Sequence, residues 1–141
     1  MMAKNLTNSC RDRQKILNDS YLILKVKKYF NLNGRWYFLQ RISSKGELFF
    51  TKLDVECLLD TSSSIINKCI KNHERELKLN GYICDKNEQL QEKLKSLDSR
   101  FTKSIELFSF KALLNMAMLI PQSKPAQFMR SRILDLSLIH I

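Results

Sequence analysis

The chain has 141 residues, 44% of them hydrophobic and 27% charged, a size and composition that fit one globular domain and exclude wholesale disorder. Its 24 Lys and Arg against 14 Asp and Glu give a net charge of +10, which favours an anionic partner such as nucleic acid or an acidic membrane surface. The excess lies early in the chain. Residues 1–50 hold 10 basic and 3 acidic side chains, residues 51–100 hold 9 of each, and residues 101–141 hold 5 and 2.

The first twenty residues are polar and are expected to form a loose leader, with a short helix around Arg13 to Asn18. No apolar stretch of signal-peptide length occurs there, and no run elsewhere approaches the ~20 residues of a membrane span, so a cytoplasmic protein without a membrane partner is expected. "YLILKVKKYF" is rich in β-branched and aromatic residues, "NLNG" supplies a turn and "RWYFLQ" resumes the strand pattern. Asn33-Gly34 is a strong hairpin signal, because a type I′ turn needs positive φ at both central residues. A basic hairpin is therefore expected, with Lys25, Lys27 and Lys28 on one arm and Arg35 after the turn, followed by a short extended "LFF".

"TKLDVECLLDTSSSIINKCIKN", Thr51 to Asn72, has the outline of two helices around a polar turn. Thr51 with Asp54 three residues later makes a capping box, and Leu53, Val55, Cys57 and Leu58 supply the first apolar face. Asp60, Thr61 and Ser62 form the turn and cap, with Asp60 standing in for the usual glycine because a short polar side chain tolerates a left-handed conformation. In the second helix Ile65, Ile66, Cys69, Ile70 and His73 line one side, and Ser64, Asn67, Lys68 and Lys71 line the other. "KNEQLQEKLKSLDS" reads as a charged, solvated helix, "SIELFSF" as a strand and "KALLNMAMLI" as a buried central helix that Pro121 ends. A last helix follows, with Ser123 as cap, Pro125 in the first turn and Ala126, Met129 and Ile133 as its apolar stripe. The chain is thus expected to be α+β: an N-terminal β-hairpin, a winged helix-turn-helix, a short strand and two C-terminal helices. Residues 21–135 would form one DNA-binding-like domain, truncated at its C-terminus, since "LSLIHI", residues 136–141, resembles what a transposon mosaic-end sequencing adapter encodes.

For catalysis little is on offer. There is no G-x-S-x-G, Gly-rich phosphate loop or H-E-x-x-H, and His73 continues an apolar face, where a packed, hydrogen-bonded histidine is expected. Cys10, Cys57, Cys69 and Cys84 lack C-x-x-C spacing and match no standard zinc pattern. No enzyme activity, cofactor, metal or small-molecule ligand is expected. For nucleic acid the pattern is better. A recognition helix presents short polar and basic side chains from its first two turns, and Ser63, Ser64, Asn67, Lys68 and Lys71 meet that demand, while the hairpin cations, Lys124, Arg130 and Arg132 would contact the phosphate backbone.

The stretch "FTKLDVECLLDTSSSIINKCIKN" resembles the virulence RhuM-like family through Thr51, Val55, Leu58, Ser64, Ile66 and Ile70, and "FSFKALLNMAMLIPQSKPAQFMRSRIL" is similar to a later family segment through Phe108, Phe110, Leu113, Leu114, Gln127 and Phe128. The family pattern has alanine at Glu56, glycine at Asp60 and Ala117, and tryptophan at Ser131. The "RWYFLQ…FFTKLDVECLL" arrangement is also similar to the BRO N-terminal domain. What these resemblances imply, together with related KilA-N and BRO-type antirepressors, is a small α+β domain of phage or mobile-element origin that binds double-stranded DNA. The alternative is a protein-interaction module that binds a repressor, another partner or itself without touching DNA.

Overall fold

The computed structural model describes residues 6–31, 49–85 and 105–140. Among the described residues there are six helices, α1 (Cys10–Leu17), α2 (Ser20–Phe30), α3 (Lys52–Leu58), α4 (Ser63–Leu79), α5 (Phe110–Leu119) and α6 (Lys124–His140), and three strands, β1 (Phe49–Thr51), β2 (Tyr82–Asp85) and β3 (Ile105–Ser109). The class is α+β. The strands form one antiparallel sheet in the order β1-β3-β2, with Phe108 of the central strand in register with Phe50 on one side and Tyr82 on the other.

Two expectations for the N-terminal region are corrected. Residues 21–30 are helix α2, not the first arm of a hairpin. The reason is local: Leu22 and Val26 are buried and Ile23 and Phe30 pack at the edge of the core, a helical spacing. Asp19 caps the start by accepting from the Leu22 amide at 3.1 Å, Lys27 and Lys28 sit in the last turn, and Asn31 closes the end at φ 46°. These caps outweigh the β-propensity of the individual residues. Asn33, Gly34, Arg35 and the second arm lie outside the described residues, as does the expected charged helix from Lys86 onward.

Nor are residues 6–20 loose, as a leader would be. Leu6, Ile16 and Leu17 are buried in the same core as α5. Arg13 is 4% exposed and forks onto Glu76 of α4, with Nε and one terminal nitrogen each 2.7 Å from a carboxylate oxygen. Its other terminal nitrogen donates to the carbonyls of Leu6 and Thr7 at 2.9 and 3.0 Å. Glu76 also accepts from Asn115 at 2.6 Å, and Asn115 in turn accepts from Asn80 at 2.9 Å. No buried side-chain nitrogen or oxygen of these four residues is left without a hydrogen-bond partner, which is what makes a buried ion pair tolerable.

Helix α5 is the centre of the molecule: residues 112–120 are all buried. Ser109 caps it by accepting from the Ala112 amide at 3.1 Å while donating to the Asn80 carbonyl at 2.8 Å. Helix α6 packs on α5 and on α2, and it runs on through Leu136, which packs against the core. Between β1 and α4 the capping box is complete, with Asp54 N donating to Thr51 Oγ1 at 3.1 Å and Thr51 N to Asp54 Oδ2 at 2.9 Å. No helix among the described residues is long and apolar enough to cross a membrane.

Candidate nucleic-acid interface

Helix α3 and helix α4 meet at a turn in which Asp60 adopts φ 46°, the left-handed conformation expected of a residue standing in for glycine. Ser62 then caps α4, accepting from the Ile65 amide at 3.3 Å. Ile66, Cys69, Ile70 and Leu77 fix α4 against the core, and the helix bends at His73, whose φ of −132° and ψ of 29° are non-helical. His73 is half-buried at this bend, not a core residue. Burial pushes the Cys69 thiol up to about 12, so it behaves as a small apolar group.

Because the core side of α4 is set by these residues, Ser63, Ser64, Asn67, Lys68 and Lys71 are all exposed on the opposite side. Among the described residues neither Lys68 nor Lys71 has an acidic partner. Ile65 departs from the expected pattern: it is 37% exposed and belongs to the outer surface, not to the apolar stripe. Arg75, four residues beyond Lys71, is also exposed. Sequence reasoning missed it although the i, i+4 spacing was available.

The loop between α5 and α6 adjoins this helix. The Ser123 hydroxyl donates to the Leu59 carbonyl at the end of α3 and accepts from the Ala126 amide at 3.0 Å, so one buried serine both caps α6 and ties it to the α3–α4 turn. The result is an open groove of about 430 Å³ lined by Asp60, Thr61, Ser62, Ile65, Gln122 and Ser123. Lys124, exposed, follows directly. Four residues further along α6 is Phe128, whose ring meets Phe30 of α2 edge-on at 6.5 Å between centroids. Lys27, one turn before Phe30, and Lys28 are exposed there, and Lys25 is half-buried. Cations expected on a hairpin therefore lie on a helix that packs beside α6.

Arg130 is a correction. Its guanidinium donates to the carbonyls of Ala117 and Ile120, both at 2.7 Å, where it caps the end of α5, and burial lowers its pKa. One terminal nitrogen of this half-buried side chain is thus spent on the helix end. Arg132 is only partly available: it lies 5.3 Å over the Phe128 ring and 3.3 Å from Asp135. The acidic side chains divide similarly. Asp54 is occupied in the capping box, Glu56 is half-buried, and Asp60 faces the groove. Among the described residues no three His, Cys, Asp or Glu side chains gather to hold a metal ion.

Comparison with known proteins brings no match: no family model fits the chain, and neither a curated protein nor a solved structure is significantly similar to it.

Proposed function

We propose that the chain is a non-enzymatic, RhuM- or antirepressor-like DNA-binding protein of phage or mobile-element origin, acting in the cytoplasm, with α3 and α4 as a helix-turn-helix and α4 as the recognition helix. The observation that carries this reading is the outer side of α4. It presents two serines, an asparagine and two lysines that have no acidic partner among the described residues, and the Ser123–Leu59 hydrogen bond ties the loop that carries Lys124 to the turn before α4. Short polar side chains at the start of a helix approach base edges, and flanking cations neutralise phosphates.

The chemistry divides by position. Asn67 and Lys68 would read bases, each good pair being worth roughly 1–3 kcal/mol of discrimination. Lys27, Lys28, Lys71 and Lys124 would contribute affinity that is indifferent to sequence. The test is a salt titration on mixed duplex DNA. Two to five phosphate contacts give a slope of log K against log salt of about −2 to −4.5, and an absence of binding at ~50 mM salt sinks the proposal. Lys27→Ala with Lys28→Ala should weaken binding to every sequence and flatten the slope, whereas Asn67→Ala with Lys68→Ala should mainly reduce sequence preference.

A second reading, docking to a protein such as a repressor, is favoured by one observation. Tyr21, Leu24 and Tyr29 on α2 and Phe128 on α6 are 70%, 52%, 49% and 51% exposed, an apolar surface that includes two tyrosines, a residue type that anchors protein interfaces. Partner binding that survives high salt and is lost with Leu24→Ala and Phe128→Ala would support it.

A further inference from the structure

The outer surface of α4 carries chemistry that the polar pattern alone does not explain. Ile65 is a large aliphatic side chain in the first turn, 37% exposed, in the groove beside the turn and not in the core. Gln122 faces the same groove. Its loop is held between Pro121 and Ser123, whose hydroxyl is tied to Leu59, so the glutamine is presented from a fixed position. Asn67 lies on the next turn of α4, exposed. Neither amide has a hydrogen-bond partner among the described residues.

In the major groove each of these groups has a preferred counterpart. Asparagine and glutamine amides pair in a bidentate manner with adenine N6 and N7. An aliphatic side chain has one apolar feature to meet, the thymine 5-methyl. Guanine is read best by arginine, yet one terminal nitrogen of Arg130 is spent on the α5 carbonyls, Arg132 is partly occupied by Asp135 and Phe128, and Arg75 lies beyond the bend at His73. Among the described residues Lys68 is the guanine-reading group left beside the other three once Lys71 and Lys124 are assigned to phosphates. Asp60 lines the same groove and is a hydrogen-bond acceptor, the type that pairs with cytosine N4, so a C·G pair at its position is the competing outcome.

We infer that this surface selects A·T pairs in duplex DNA, with Ile65 against a thymine methyl and Asn67 and Gln122 on adenine edges. The inference rests on the DNA-binding reading above. It goes further in naming Ile65 and Gln122 as specificity-determining residues and in naming the bases.

The test is selection from a randomised duplex library, followed by anisotropy titrations of the selected duplex. A·T pairs should dominate the selected core. Replacing thymine by uracil, one position at a time, removes only the methyl and should weaken binding about fourfold at one position, the equivalent of burying one methyl group. Ile65→Ala should bind the thymine and uracil duplexes equally, whereas Gln122→Ala should lose preference at one A·T pair with the salt slope unchanged. A G·C core, or equal binding of thymine and uracil duplexes by the unaltered protein, overturns the inference while leaving DNA binding intact. A chain that binds no duplex at low salt overturns both.

Discussion

The Arg130 guanidinium sits where α5 has run out of amide donors, and its two hydrogen bonds to Ala117 and Ile120 satisfy carbonyls that the helix leaves open. Arg130→Ala should therefore cost roughly 1–3 kcal/mol of stability, seen as a lower urea midpoint, while DNA affinity measured below the transition stays unchanged. Glu76 is the other residue on which much depends. Burial alone would raise its carboxyl pKa, but hydrogen bonds from Arg13, Asn115 and Cys10 outweigh that and hold it below the ordinary carboxylate range. A carboxylate depressed in the folded state contributes stability that is present above its ordinary pKa and lost as pH falls through the folded value. Acid should therefore unfold the protein through this group, and Glu76→Gln should flatten that part of the pH profile. The same substitution leaves Arg13 buried and uncompensated, a loss on the order of 3–5 kcal/mol that equilibrium denaturation at neutral pH would register. None of this was legible beforehand, since Arg13 and Glu76 are far apart in the chain and a lone charge carries no sign of its partner.

Two tight junctions set how the elements meet. At the α3–α4 turn Asp60 holds φ 46°, which glycine adopts without strain, so Asp60→Gly should raise the thermal midpoint, with a gain on the order of 1 kcal/mol. A lowered midpoint would mean that the Asp60 carboxylate stabilises the turn by more than its conformation costs. At the α4–β2 junction Gly81 has φ 105°, and an added Cβ would stand 2.1 Å from Ser109 Oγ, the atom that caps α5. Gly81→Ala should destabilise by more than the ~1–3 kcal/mol of backbone strain alone, because the α5 cap must also move. Circular dichroism melts would separate the two variants by sign. The α3–α4 turn was legible because its signals are local: Thr51 with Asp54, then Asp60 and Ser62. Helix α2 was misread because β-branched and aromatic residues suggested strand, although Asp19, Asn31 and the spacing of Leu22 and Val26 held the opposite signal. Strand β2 was not anticipated, since "YICD" is a short segment whose pairing with β3 is non-local.

At the scale of the molecule, α1 is part of the core and not an appendage. A chain shortened to begin at Ser20 loses Leu6, Ile16 and Leu17 from the interior and leaves Glu76 without its guanidinium. It should show no cooperative thermal transition, and a melt close to that of the full chain would prove this assignment wrong. The proposed interface is also a property of the whole, because it joins the end of α3, the start of α4, the loop before α6 and the end of α2. By itself the sequence determined the α+β class, the capped helical pair with its polar outer side, the buried α5 and the α6 stripe, because capping and amphipathic periodicity act over a few residues and are written in order along the chain. Only the tertiary structure decided which cations are spent and which remain exposed. Arg130 and Arg13 turned inward to satisfy carbonyls and a buried carboxylate, Ile65 and Gln122 came to share a groove, and the α2 lysines moved from an expected hairpin to a helix. Those outcomes depend on partners distant in the sequence, and a buried polar group is satisfied by whatever the fold brings beside it.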